Sequence, residues 1–272
     1  MTSRDETRAG HDTTSTYVYG VVPAPPVPPQ AADASAQARL GVGQEHAGEV
    51  RFVVHGALAA AVSDVPTGWN EATRADAEAH ERVLSELLAR QTVVPMRFGV
   101  VIDSDEEVQR ELLERYADRL EEILERLDGC VQMSVKAYYA EDALLREALA
   151  RRPELKRRAD ELSQEPVERT QAERIALGRD VAEAVEQQRE RDQRALVEPL
   201  MAHVRDIRLT APAGEREAVN AQVLVERRKR PALDDVVRGL AAAHELRLGF
   251  RYVGPLPPYS FSDRALESSE AA

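Results

Sequence analysis

The chain has 272 residues, 43% of them hydrophobic but only 4% aromatic, with a formal net charge of −12 and one cysteine. That length fits one large domain or two modest ones, with a core of Ala, Val and Leu, and the negative balance makes nucleic acid a poor partner because phosphate repels it. A lone thiol excludes an internal disulfide or a cysteine-rich metal site; Cys130, in the apolar run Cys130-Val131-Gln132-Met133, reads as a small core hydrophobe.

Met1–Thr16 is polar with mixed charge and reads as a disordered tail without the apolar core of a secretory signal. No stretch approaches the ~20 apolar residues of a membrane span, so the expectation is a cytoplasmic protein with no membrane partner. Tyr17–Val22 is a strand by β-propensity, stopped by the prolines of Pro23–Pro29, and a loop runs on to Gly48. Val50–Val54 and Ala57–Ser63 read as a hairpin about His55-Gly56. Asn70 is placed to cap a helix whose apolar face is Ala79, Val83, Leu84, Leu87 and Leu88. Thr92–Pro95 and Phe98–Ile102 are short extended runs. Ser104 with Glu107 makes a capping box, and Asp105, Glu106 and Glu107 suit a helix N-terminus. One stripe of Val108, Leu112, Leu113, Tyr116, Leu120, Ile123, Leu124 and Leu127 then predicts a single helix, stopped at Gly129. Cys130–Tyr139 is the next strand. Antiparallel pairing with two helices on one face predicts a ferredoxin-like α+β sandwich over 17–140.

The texture changes at Glu141, where Arg, Glu, Gln and Ala dominate. Glu141–Arg151 predicts a short helix, Pro153 a break, and Pro166 the start of a longer helix reaching about Val197. Gly178, Val181, Val185 and Gln188 hint at a short heptad-like seam, as in a helical hairpin or small bundle. Beyond Pro199, Ala202–Leu209 and Ala218–Val225 read as strands around a Pro212-Ala213-Gly214 loop. Leu233, Val236, Val237, Leu240 and Leu246 mark a helix, Leu248–Val253 a last strand, and the acidic end from Ser268 a flexible tail. Val50–Ile102 and Ala202–Gly254 thus both run strand, strand, helix, strand, which predicts a second, reduced α+β unit within a mixed C-terminal domain, 141–262, with residues 263–272 as tail.

Three segments, in order, resemble the gas vesicle protein F/L family (GvpL/GvpF). They are the opening strand Tyr17-Val18-Tyr19-Gly20-Val21-Val22, the block from His80-Glu81-Arg82-Val83-Leu84 to Val93-Val94-Pro95-Met96-Arg97-Phe98-Gly99, and the ending Gly254-Pro255-Leu256-Pro257-Pro258-Tyr259-Ser260-Phe261. Leu256 stands where the family pattern commonly carries an aromatic, a mild departure that keeps the position large and apolar. The resemblance spans Tyr17–Phe261. It implies a ferredoxin-like N-terminal domain, a C-terminal domain with a helical part, and a role in building gas vesicles, whose shell is a small, very hydrophobic structural protein. It does not separate an F-type from an L-type member.

No catalytic constellation emerges. None of the six histidines (His11, His46, His55, His80, His203, His244) stands at metal-ligand spacing from another His or Cys, and Asp76 with His80 reads as a solvated i, i+4 pair. Nucleophile elbow, phosphate loop and dinucleotide fingerprint are missing, and Gly41-Val42-Gly43 lacks a strand-to-helix context. Catalytic, cofactor and metal residues are therefore assigned to none, and the protein reads as non-enzymatic. Arg227-Arg228-Lys229-Arg230 is either an anion or nucleic-acid patch or, as favoured, a polar turn balanced by Asp234-Asp235. The partner-contact candidates are Pro95, Met96, Arg97, Phe98 and Gly99, a turn that also reads as structural, with Tyr259 and Phe261, either exposed or tucked over the core. The leading function is an assembly factor that binds the hydrophobic shell protein, keeps it from aggregating during nucleation or growth, and stays as a minor vesicle component. The alternatives are a scaffold joining other gas vesicle accessory proteins through 141–197, or a ligand-binding or enzymatic module.

Overall fold

The structure is a computed structural model and describes residues 14–26, 41–42, 49–69, 72–211 and 213–262. The expectations for the tail before residue 14, most of the loop to Gly48, Asn70, Pro212 and the acidic end from Ser268 lie outside them. Contacts divide the chain into two compact units, residues up to Val131 together with those from Leu256, and Gln132–Pro255.

The first unit is an antiparallel sheet with helices. Its central strand β1 (Thr14–Pro23) is buried from Ser15 to Val22. It therefore begins earlier than the expected tail allows: Ser15 and Thr16 pair with Val65 and Asp64, and Thr16 donates to Asp105 Oδ1 at 2.8 Å. β2 (Arg51–His55) and β3 (Leu58–Pro66) form the expected hairpin, with Gly56 at φ 57° supplying the left-handed turn residue. β4 (Val94–Pro95) and β5 (Val101–Ile102) both pair antiparallel with β1, giving the order β2-β3-β1-β4. The register of β1 on β3 shifts between Val18 and Gly20, where β1 also meets β4.

Helix α1 (Arg74–Arg90) buries Ala79, Val83, Leu84, Leu87 and Leu88 as predicted. Its cap is Thr73 rather than Asn70: the Thr73 hydroxyl accepts the Asp76 N–H while Asp76 accepts the Thr73 N–H at 2.9 Å. The single helix expected from Ser104 is broken. Ser104 Oγ accepts the Glu107 N–H, but one α-turn, Asp105–Glu107, passes into a π-helical stretch, Val108–Glu114, where Arg115 N–H reaches Arg110 O. Helix α2 (Ala117–Leu127) starts afresh after Tyr116. The stripe survives because the wide turn re-aims it: Val108, Leu112, Leu113, Leu120, Ile123, Leu124 and Leu127 are all buried and Tyr116 is half-buried. Asp105 serves less the helix dipole than Arg51, whose Nη2 and Nε donate to its two oxygens at 2.7 and 3.0 Å.

In the second unit, α3 (Ala143–Arg151), α4 (Pro153–Ser163) and α5 (Val167–Met201) pack around Ala148, Leu155 and Ala184, with Leu149, Leu177, Val181 and Val185 against them. Of the expected seam, Gly178 is exposed, and Gln188 turns inward to donate to Asp192 at 3.2 Å. α5 runs through Pro199, because buried Leu196, Val197 and Leu200 anchor its last turns and outweigh one lost backbone bond. The strand expected from Ala202 consequently starts later, as β7 (Asp206–Leu209). It pairs antiparallel with β8 (Glu217–Glu226), which is followed by α6 (Arg230–Ala243) and β9 (Leu248–Leu256).

The order of this sheet is β7-β8-β6-β9, where β6 is Cys130–Tyr139. Both sheets thus read hairpin, opening strand, closing strand, which is the strand-strand-helix-strand recurrence expected from the sequence. β6 is an inner strand of the second sheet, so the division falls inside it rather than after residue 140, and the ending from Leu256 belongs with the first unit rather than with 141–262.

Candidate functional site

The turn after β4 is held from beneath. Pro95 and Met96 are buried; Pro95 pairs with Gly20, and the Met96 N–H donates to Tyr19 O at 2.8 Å. Arg97 is exposed, and Phe98 keeps 38% of its surface in solvent. Gly99 has φ 95°, a left-handed conformation that glycine adopts without strain, and its N–H donates to the Tyr17 hydroxyl at 3.1 Å.

Tyr17 links this turn to the chain's ending. Its hydroxyl lies 2.8 Å from His80 Nδ1, His80 Nε2 lies 3.0 Å from the Tyr259 hydroxyl, and Tyr259 donates to Glu81 Oε1 at 2.9 Å. An ionised carboxylate only accepts, so the direction of the chain is set from Glu81 backwards. Tyr259 donates its O–H to Glu81 and accepts from His80 Nε2–H; Nδ1, left bare, accepts from Tyr17. His80 is wholly buried, and burial, opposed by the Met96 carbonyl, pushes its pKa down to about 4. Burial also raises Tyr17 and Tyr19 above the ordinary phenol value. The imidazole is thus a neutral relay, suited to fixing side chains rather than to exchanging protons near neutrality.

Around it stands an aromatic cluster. His80 stacks on Tyr19 at 5.7 Å and meets Tyr17 and Phe98 edge-on, and Trp69 meets Tyr17 and Phe98 edge-on at 5.6 and 6.1 Å. With 4% of the chain aromatic, this concentration in one place marks the first unit's surface at Phe98 and half-buried Trp69.

Of the expected contact residues, Pro95, Met96, Arg97, Phe98, Gly99 and Tyr259 are brought to this one neighbourhood. Phe261 is the exception: it is only 4% exposed, and Arg126 donates to its carbonyl at 2.8 Å. The ending tucks over the core. Sequence reading missed Tyr17, Trp69, His80 and Glu81 as partners of the turn; the available signal was a histidine on the apolar face of α1. Asp76 is buried and engaged by Thr73, so it forms no solvated pair with His80. Among the described residues no group of three His, Cys, Asp or Glu is placed to hold a metal ion. The basic run is balanced by Glu226 and by Asp234: Arg228 and Lys229 donate to Glu226 at 2.7 and 2.8 Å and Arg230 lies 3.5 Å from Asp234, while Asp235 pairs with Arg238; the bonds to Glu226, Lys229's first, pull its pKa down to about 2.

The sequence pattern of the family described as gas vesicle synthesis protein GvpL/GvpF matches residues 15–263. The chain is 36% identical over 247 residues to gas vesicle protein F of Streptomyces sp. (strain CB03234), covering 91% of this chain and 99% of that one. It is 31% identical to gas vesicle protein L of the same strain over 282 residues, 92% and 94% of the two chains. The fold is similar to the crystal structure of gas vesicle protein GvpF from Anabaena sp. PCC7120, with a TM-score of 0.80 at 23% identity over 92% of this chain and 98% of that one. GvpF from Microcystis aeruginosa gives 0.72 at 23% identity, over 91% and 98%. A match from the second residue of β1 to the residue after the tucked ending takes in both units, and the chain belongs to the gas vesicle GvpL/GvpF family.

Proposed function

We propose that this protein, which takes part in gas vesicle formation as a member of its family, does so as a non-enzymatic assembly factor. It holds the small hydrophobic shell protein at the Phe98 turn until that subunit joins the growing vesicle, and remains as a minor vesicle component. The observation that carries the reading is the exposed Phe98, beside Trp69, on a turn whose backbone is fixed by Tyr17, Tyr19 and Gly99. A rigid aromatic offers apolar contact area at little entropic cost. The formal charge of −12 keeps such a complex in solution, and among the described residues no helix is long and apolar enough to cross a membrane. We read the protein as cytoplasmic and vesicle-associated, without a nucleic-acid partner. We also read its first unit as a ferredoxin-like sandwich, on the strand order β2-β3-β1-β4.

Co-expression with the shell protein followed by size exclusion tests the reading. A defined soluble complex is expected, lost in Phe98→Ser and weakened in Arg97→Glu. Precipitation of the shell protein regardless of the chain would sink it and turn attention to other accessory proteins as partners of α3–α5.

A further inference from the structure

The two sheets share a strand order but end differently. In the first unit the closing position is split into β4 and β5 by the Met96–Val100 turn and contains Pro95, a broken edge that gives a foreign strand little to pair with. In the second unit the same position is filled by β9, which lies in that unit from Leu248 to Pro255 and, among the described residues, bonds within the sheet to β6 alone. At its start the Ala140 N–H donates to Arg247 O at 2.8 Å, while the Tyr139 N–H turns the other way, to Arg216 O at 2.7 Å. Alternation along an antiparallel pair then turns the main-chain groups of Phe250 and Tyr252 away from β6, toward the outer edge.

The side chains of those two residues line a groove of about 490 Å³ between β9 and α6, with Met133 and Val237 as further apolar lining; Arg230 and Arg238 also line it, each already paired, with Asp234 at 3.5 Å and Asp235 at 2.6 Å. The buried Arg230 Nε has no hydrogen-bond acceptor among the described residues. Asp234 lies 3.5 Å from it and accepts a hydrogen bond from the Tyr252 hydroxyl at 2.8 Å. On the opposite face of β9, Arg251 and Val253 are exposed, and Arg251 has no ion-pair partner among the described residues.

We propose that β9 is a docking edge for an extended, acidic segment of a partner protein. The segment adds as a strand, bonding the outward main chain of Phe250 and Tyr252. Its apolar side chains enter the groove over Met133 and Val237, and its carboxylates, on the alternate face, meet Arg251. Arg251, an exposed cation with no ion-pair partner among the described residues in a chain of net −12, selects an acidic strand over a basic one. This inference is independent of the Phe98 turn and goes beyond it.

The probe is a capped, fluorescein-labelled heptapeptide alternating Glu and Val, compared with its Lys/Val counterpart, titrated onto the full chain by anisotropy. The expected result is affinity at least ~10-fold higher for the Glu/Val peptide, with slowed hydrogen exchange at the Phe250 and Tyr252 amides. Arg251→Glu, a change at an exposed side chain, weakens it about fivefold. Equal affinity for the two peptides, or protection at β2 or β7 instead, overturns the proposal. Protection of the same two amides on concentrating the protein alone would also overturn it, assigning the edge to a second copy of this chain.

Discussion

His80 is the residue on which the first unit's pH response turns. Its imidazole titrates near 6.5 when unfolded and at about 4 when buried. Between those values the unfolded chain binds a proton that the folded one refuses. Stability from this group is therefore complete above pH 6.5 and declines as the pH falls toward 4. We expect a loss of about 3 kcal/mol over that window, read as the urea midpoint at pH 7, 5.5 and 4, and missing from His80→Phe, which has no titrating ring. Parallel pH slopes in the two proteins would refute this. Gly20 is fixed by space instead: a Cβ there stands 2.7 Å from Val94 O and 3.0 Å from Val93 Cγ2. The backbone carbonyl cannot yield as a flexible side chain would, so Gly20→Ala should cost about 2 kcal/mol, seen as a lower unfolding midpoint. An unchanged midpoint would mean that β4 moves away freely.

At the scale of elements, the second unit is held by a part-buried polar knot. Arg247, just before β9, binds Glu147 of α3 and, at 2.8 Å, Asp192 of α5; Asp192 also accepts from Tyr139 of β6 at 2.9 Å. Asp192 is 6% exposed, so removing its cation leaves a carboxylate with little solvent to replace it. Arg247→Ala is expected to cost about 3 kcal/mol, far above the ~1 kcal/mol ceiling of an exposed ion pair such as Arg74–Glu78. Denaturation of the two alanine variants side by side measures the difference, and similar losses would show the knot to be solvated. The same scale explains the break after Glu107. A capping signal and an apolar stripe specify that a helix forms and which face is buried, but a π-turn changes neither, so the stripe gave no hint of it.

At the scale of the whole molecule, the chain's ending returns to its beginning. Residues from Leu256 join the unit of β1 and α1, through Tyr259 on His80 and Glu81 and through buried Phe261. Removal of residues 257–272 should therefore destabilise the first unit, with faster hydrogen exchange in β1 and α1, while β8 and α6 of the second unit keep their protection. Loss confined to the second unit would contradict the assignment. The recurrence of one strand order in two sheets belongs here too. It was legible as element order, since alternation and helical spacing are local, although the opening strand of the second sheet reads in sequence as the last strand of the first domain.

By itself the sequence determined what depends on neighbours along the chain: the β2–β3 hairpin, the buried stripe of α1, the helical middle and the family to which the whole belongs. It also singled out the Pro95–Gly99 turn and Tyr259, though without relating them. Only the tertiary structure decided what depends on distant residues. It placed Tyr259 against His80, 179 positions away, assigned β6 to the second sheet, and buried Phe261. Thr73 capped α1 because Asp76 completed the reciprocal pair, a local signal that an earlier candidate obscured. Periodicity reports which face of an element is apolar, but which partner that face meets is set by long-range packing that no short window contains.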